Sequence, residues 1–184
     1  DNSLLDPVHY VTVEAWFKTD TTVWDTGAPR MVEKYDRYSL NYEDSGGNAN
    51  KVRAWITAGG SRSSELFSNN TVNDGLWHHV AVRYDAVTGM ATLIIDGEED
   101  GTAAITPDLG STAAYIGHDA GGTGAFFDGE IADIRIWDYA RDTGEIASGR
   151  ENFPHPDEEG LLAHYKLDGA DGSAVSDSSS NGYD

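Results

Sequence analysis

The sequence Val11-Thr-Val-Glu-Ala-Trp-Phe17 places an apolar side chain at every second position. A period of two is typical of a strand that buries one face and turns the other outward. The same period recurs at Tyr38–Tyr42, Val52–Ile56 and Val80–Tyr84. Further strands are predicted at Ala91–Asp96, Ala113–Ile116, Ile131–Trp137 and Leu161–Leu167. The chain is therefore predicted to consist mainly of strands.

Short turn sequences separate the predicted strands. Asp-Gly pairs begin at Asp74, Asp96, Asp100 and Asp128, and such pairs supply the positive φ that tight hairpins need. Strands at short intervals with these turns predict an all-β fold, an antiparallel β-sandwich of the jelly-roll kind. The absence of strand–helix alternation disfavours a nucleotide-binding α/β fold.

One short helix is predicted near residues 142–148. Asp142 can cap its first turn, Glu145 occupies the reciprocal position of a capping box, and Gly149 can end it.

Length and composition exclude several classes of protein. The 184 residues include 39% hydrophobic and 24% charged residues, enough for one globular domain with a core. A formal net charge of −20 excludes nucleic acid as a partner, because little positive charge is present to neutralise phosphates. The sequence has no cysteine, which excludes disulfides, thiolate metal sites and a cysteine nucleophile. It has no apolar run long enough for a transmembrane segment.

The excess of acidic residues indicates that the fold needs salt or a bound cation to offset charge repulsion. The 32 acidic residues repel one another in dilute salt and destabilise the compact state. Two settings would relieve this repulsion: a concentrated-salt habitat, as in a halophile, or bound calcium, which takes carboxylate and carbonyl oxygens. A solvated acidic surface is the alternative for most of these carboxylates. The chain begins at Asp1, and we expect it to be a piece of a longer protein.

Several motifs in a fixed order resemble the laminin-G-like, concanavalin-A-like jelly-roll superfamily, which includes lectins and glucanases. The likeness extends over roughly Val11 to Ala147 and implies the same jelly-roll fold. In such motifs Trp16, Trp77 and Trp137 are expected to pack in the core. The motifs are Val11–Phe17, Trp77–Asp85, Ala91–Gly97, Tyr115–His118 and Phe127–Trp137.

The end of the chain resembles the segment that normally opens such a domain. We therefore predict a laminin-G-like jelly roll at residues 1–150, a Pro-containing linker at 151–159, and a strand with a Gly/Ser/Asp loop at 160–184. Three arrangements stay open for this last segment. It completes its own domain in a permuted order, it opens the next repeat of a tandem array, or it pairs with a neighbouring copy by strand exchange.

Calcium is the predicted cofactor. By the resemblance, the loop near the chain end lies beside the strand that carries Asp133, and Ca²⁺ sits between them. The predicted metal ligands are Asp168, Asp133 and Asn181, with Asp177 behind them. Asp133 interrupts an apolar strand, and a buried carboxylate there needs a metal or a charged partner. Arg135, two residues along, is the rival partner.

Carbohydrate is the predicted ligand, because flat aromatic faces beside polar rims suit sugar rings. The candidate aromatic residues are Trp55, Tyr42, Tyr35 and Trp24, and Trp55 is expected to face outward. His118 and Asp119 form a second candidate rim for a metal or a sugar. Asn69 lies in the sequon Asn69-Asn-Thr71 and is a candidate glycosylation site.

No catalytic residue is predicted. Related glucanases carry a Glu-x-Asp-x-x-Glu strand, whereas the nearest string here, Glu130-Ile-Ala-Asp133-Ile-Arg135, has a different spacing. The sequence thus predicts a noncatalytic extracellular or cell-surface module for recognition or adhesion. Its partner is a polysaccharide, a glycoprotein glycan, or neighbouring copies of the same protein in a surface filament. A glycoside hydrolase relative is the third alternative.

Overall fold

The computed structural model describes residues 9–21, 28–34, 37–43, 46–58, 61–105, 114–119, 124–169 and 175–183, with backbone alone at 57–58 and 61–64. Strands are the main regular structure of these residues, which also include one short helix and a 3-10 turn at Gly46–Asn48. The elements are β1 (Tyr10–Lys18), β2 (Arg30–Lys34), β3 (Tyr38–Glu43), β4 (Lys51–Ala58), β5 (Ser61–Phe67), β6 (Trp77–Asp85), β7 (Met90–Ile95), β8 (Glu98–Ala104), β9 (Ala114–Ile116), β10 (Glu130–Trp137), α1 (Thr143–Gly149) and β11 (Leu161–Tyr165).

Two antiparallel sheets form a sandwich. The six-stranded sheet has the order β11-β10-β1-β6-β7-β8, and the five-stranded sheet has the order β5-β4-β3-β2-β9. Both are antiparallel in every described pair. The predicted all-β antiparallel jelly roll is confirmed.

The core lies between the two sheets and follows from the alternation of side chains. Val13, Ala15 and Phe17 of β1 are fully buried, and so are Leu40 and Tyr42 on the opposite sheet. Since successive strand residues point to opposite faces, the residues between them point outward. Thr12, Glu14, Trp16 and Lys18 therefore lie on the outer face of the six-stranded sheet.

The segment 138–153, which contains α1, covers part of that outer face. Ile146 of α1 packs against Ala81 and Ile94 in a small apolar cluster. The predicted capping box is present: Asp142 accepts a hydrogen bond from the Glu145 amide, and the Glu145 side chain accepts one from the Asp142 amide. Within the described residues, no helix is long and apolar enough to cross a membrane.

Trp77 corrects an expectation from the sequence. It was expected to pack in the core, yet 41% of it is exposed. It is the first residue of β6, at the end of the sheet, and alternation places it on the outer face with His79 and Ala81.

The last strand, β11, pairs with β10 of the same chain. The following loop hydrogen-bonds to β11 as well: Ser178 donates to the His164 carbonyl at 2.7 Å, and Asn181 Nδ2 donates to the carbonyls of Leu161 and Leu162 at 3.0 and 2.9 Å. The edge of β11 that does not pair with β10 is thus covered by residues of the same chain. The division at 150 and 160, with a permuted end or the start of a next repeat, stays a prediction.

Candidate functional site

A cleft of about 330 Å³ opens on the outer face of the six-stranded sheet, beside the end of segment 138–153. A volume of this size falls at the lower end of the range for small-ligand pockets. Its walls come from β1, β10, the stretch after α1, and the residues after β11. The residues that line it include Trp16, Asp133, Arg150, Phe153, Lys166 and Asp168.

Two aromatic side chains stand at the cleft. Phe153 is 57% exposed, with its ring centroid 5.2 Å from Lys166 Nζ and 5.5 Å from the His164 ring. Trp16 is half-buried and its indole Nε1 donates to the Arg150 carbonyl at 3.1 Å. Because that bond fixes the indole and Phe153 remains open to solvent, the cleft combines one rigid and one accessible aromatic surface.

Asp133 forms the buried floor of the cleft. Its Oδ1 accepts hydrogen bonds from Arg135 Nε at 2.9 Å and from His164 Nε2 at 2.8 Å, and its Oδ2 accepts one from Arg135 Nη2. Burial acts to raise the pKa of Asp133, but the hydrogen bonds from His164 and Arg135 and the Arg135 charge outweigh it, and the pKa is lowered. Asp133 is therefore ionised and paired with Arg135.

Arg135 also holds the cover of the sheet. Its Nη1 donates to the Gly149 carbonyl and its Nη2 to the Asn152 carbonyl, each at 3.0 Å. One buried guanidinium thus joins the floor of the cleft to the end of α1 and to the stretch before Phe153.

The predicted calcium ligands do not converge as one donor set. The sequence left two partners open for Asp133, a metal ion or Arg135, and the structure pairs it with Arg135. Three of the roughly four lone-pair positions of the Asp133 carboxylate accept hydrogen bonds. Asp168 is exposed and lines the same cleft, next to the cation of Lys166. Calcium needs six to eight oxygens. Among the described residues, no three His, Asp or Glu side chains are grouped to hold a metal ion.

Asp177 and Asn181 have structural partners in their own loop and in β11. Asp177 accepts from the amides of His164, Ser179 and Tyr183 and from the Ser179 hydroxyl, at 2.7–2.9 Å. Burial acts to raise the pKa of Asp177, but these hydrogen bonds outweigh it and lower the pKa. Calcium binding by these four residues stays a prediction, and it would require other oxygens or displacement of Arg135.

The predicted aromatic ligands on the five-stranded sheet are buried where they are described. Trp55 does lie on the outer face by alternation, but it is fully buried, with Arg30 and Arg53 at 5.2 and 5.1 Å from its ring. Tyr42 is fully buried in the core, and its hydroxyl donates to Asn50 Oδ1 at 2.8 Å. Neither offers a ring face to solvent. Trp24 and Tyr35 lie outside the described residues.

The second candidate rim is partly exposed. His118 Nδ1 lies 2.8 Å from the Asp119 carbonyl, and the His118 ring contacts Tyr115 and Phe126 at 5.4 and 6.2 Å. Phe126 is 59% exposed. Asn69 is exposed, as its predicted glycosylation requires, and its amide Nδ2 donates to the Asp100 carbonyl and carboxylate at 2.8 and 3.0 Å.

Four of these cleft residues were missed from the sequence. Phe153 lies within the predicted linker and Arg150 just before it, Lys166 lies within the predicted strand Leu161–Leu167, and Trp16 is expected in the core. Of the three acidic residues that line the cleft, Asp133, Glu151 and Asp168, the sequence predicts that Asp133 and Asp168 lie together, and both line it. A large aromatic residue in an otherwise polar and proline-containing predicted linker is the available signal for Phe153.

The fold is that of a concanavalin A-like jelly roll. The family model described as the concanavalin A-like lectin/glucanases superfamily matches residues 1–147. The chain belongs to this family, as the motif order had indicated.

Among similar proteins, the rat (Rattus norvegicus) "Sushi, von Willebrand factor type A, EGF and pentraxin domain-containing protein 1" is 23% identical over 168 residues, covering 83% of this chain and 4% of its own length. The chain thus spans a small part of that relative. A solved Bacteroides ovatus protein, provisionally assigned to carbohydrate binding, has a TM-score of 0.76 and 22% identity, covering 94% of this chain and 51% of its own. A structure of botulinum neurotoxin type C, whose cell entry depends on interaction with two ganglioside molecules, has a TM-score of 0.57 and 13% identity, covering 84% of this chain and 39% of its own.

Proposed function

We propose that this chain is a noncatalytic, extracellular recognition module that binds carbohydrate in the cleft between Trp16 and Phe153. The observation that carries the proposal is the pairing of an exposed aromatic ring with charged groups around one small cavity. A sugar ring has apolar faces, which bury area against an aromatic ring, and hydroxyl groups that need charged or polar partners. The family, the carbohydrate binding assigned to the Bacteroides ovatus neighbour and the ganglioside interaction of the neurotoxin neighbour support the same ligand class.

The two acids of the string nearest to the glucanase motif, Glu130 and Asp133, are not placed for hydrolysis. Glycoside hydrolysis needs a pair of carboxyl groups, one of them protonated, on either side of the bond. Here Asp133 is held ionised by Arg135, and Glu130 pairs with Lys18 at 2.8 Å. Neither is placed as a general acid. A noncatalytic role is therefore the better account of these two acids.

Assembly into a filament by strand exchange is the less favoured function. The edge of β11 is occupied by residues 177–181, and the other edge strand of that sheet, β8, carries Glu98, Glu99 and Asp100. Charged edge strands resist pairing with other chains. Both edges of the six-stranded sheet therefore oppose recruitment of a neighbouring strand.

The test is an array of neutral and acidic glycans probed with the wild-type chain and two variants. Phe153→Ala removes the exposed ring of the cleft. Phe126→Ala is the matched control, because it removes an equally exposed phenylalanine at the His118 rim. The proposal expects a defined set of glycans to bind, with loss in Phe153→Ala and retention in Phe126→Ala. Loss in Phe126→Ala alone would move the site to the His118 rim, and an array without any binding would refute the function.

A further inference from the structure

Beside the cleft, the outer face of the six-stranded sheet carries a second accessible aromatic side chain. Lys18 lies opposite Trp77 on β6 and opposite Glu130 on β10. These three residues, called here the Trp77 row, cross three neighbouring strands on the outer face. Strands lie about 4.8 Å apart, so the row spans about 10 Å.

All three side chains of the Trp77 row reach solvent. Trp77 is 41% exposed, and the side chains of Lys18 and Glu130 are 37% and 61% exposed. Lys18 Nζ contacts Glu130 Oε1 at 2.8 Å, which confirms that both point to the same face. The row therefore presents an indole beside a paired hydrogen-bond donor and acceptor.

The Trp77 row adjoins the cleft directly. Trp16 lies two residues before Lys18 on β1, opposite Ala132 of β10, and both Trp16 and Ala132 line the cleft. Two residues along a strand cover about 7 Å. The cleft and the row are thus neighbouring parts of one surface, which begins at Phe153 and ends at Trp77.

The charges along this surface cancel in pairs. Lys18 pairs with Glu130, Asp133 with Arg135, and Arg150 with Glu151 at 3.3 Å. The remaining charged residues of the cleft, Lys166 and Asp168, carry opposite charges. The whole chain carries −20, which repels polyanions. This surface therefore has no net charge with which to hold a charged ligand, and the net charge of the whole chain disfavours a polyanion.

We infer that the chain binds a neutral oligosaccharide of several units, with one sugar in the cleft and another stacked on Trp77. This inference rests on the proposed function and names its ligand class. A single sugar fills the cleft alone, whereas a longer chain also buries its apolar face against the indole. An aromatic contact of this kind is expected to add about a tenfold gain in affinity.

The experiment is calorimetric titration of the full chain with gluco-, manno- and galacto-oligosaccharides of one, two and four units. For the sugar that binds, the tetrasaccharide is expected to bind about tenfold more tightly than the monosaccharide. Trp77→Ala should remove that gain and leave the monosaccharide affinity unchanged, and Phe126→Ala should change neither. Glu130→Ala, at the far end of the row, should also weaken the tetrasaccharide alone. Added salt should leave all affinities unchanged, because an uncharged ligand is not screened.

Three outcomes would overturn the inference. Equal affinities for one and four units, both dependent on Phe153, would leave the proposed function standing and refute the extended surface. A wild-type chain that binds none of the three series would refute the neutral ligand, and a blank glycan array would refute the proposed function with it. If sedimentation shows a dimer that Trp77→Ala dissociates while oligosaccharide affinity is unchanged, the row is a contact between copies instead.

Discussion

Replacing Arg135 by methionine should destabilise the fold strongly. The side chain is 2% exposed and makes hydrogen bonds to Asp133 and to the carbonyls of Gly149 and Asn152. Arg135→Met leaves the Asp133 carboxylate buried with His164 as its remaining side-chain partner. Breaking a buried ion pair in this way costs about 3–5 kcal/mol. For a chain of this size, that corresponds to a fall in Tm of roughly 6–20 °C.

The assay is urea unfolding at pH 7, followed by tryptophan fluorescence. The double variant Asp133→Asn/Arg135→Met is the control, because it removes the stranded charge as well. Asparagine suits this position, since Asp133 has a φ of 51° in the left-handed region that asparagine tolerates. The double variant should be more stable than Arg135→Met alone. A single variant within about 1 kcal/mol of wild type would refute the reasoning that Asp133 depends on this partner.

Three further predictions concern pH and calcium. Burial acts to lower the pKa of His78, but hydrogen bonds to Asp96 and Asp74 outweigh it and raise the pKa. Protonated His78 therefore stabilises the fold below pH 6.5, and this stabilisation is lost as the pH rises through its folded pKa. In urea unfolding, His78→Gln should lower the free energy of unfolding by less than about 1 kcal/mol at pH 5.5 and by almost nothing at pH 9. An equal loss at both pH values would contradict this. The pKa of Asp177 is lowered, so its stabilising effect is present at neutral pH and is lost in acid. Asp177→Asn should lower the free energy of unfolding by about 1–3 kcal/mol at pH 7, and this difference from wild type should shrink as the pH falls below 3.8. A difference that stays constant down to pH 2.5 would contradict this. Millimolar calcium should raise the Tm of Arg135→Met more than that of wild type, because the variant frees Asp133; a larger rise in wild type would place calcium elsewhere.

The strands that the sequence predicts are those with one buried face. Where both faces are buried or the strand lies at an edge, the alternation is lost. Every residue of β2 is buried, although three of its five side chains are charged, and Arg30 and Glu33 pair at 3.0 Å. At the edge, β8 reads Glu-Glu-Asp-Gly-Thr-Ala-Ala and carries no apolar period. The sequence does not predict β2 or β8, because ion pairing and position at a sheet edge depend on the tertiary structure.

The candidate site was predictable only in part. That Asp133 needs a partner followed from its place in an apolar strand, and Arg135 was foreseen as one of two partners. His164 was not foreseen, because it comes from β11, 31 residues away in the chain. The outward direction of Trp55 followed from alternation, whereas its burial depends on contacts that alternation does not report. The expectation that Trp77 packs in the core is wrong, because motif likeness does not show which part of the outer face segment 138–153 covers.

The most direct test of the central claim, that the cleft beside Phe153 binds carbohydrate, is a calorimetric titration. The glycan that binds most strongly on the array is titrated into wild type, Phe153→Ala and Phe126→Ala under identical conditions. The account predicts at least about a tenfold loss of affinity for Phe153→Ala and no more than about a twofold change for Phe126→Ala. Equal affinity for Phe153→Ala and wild type would contradict it.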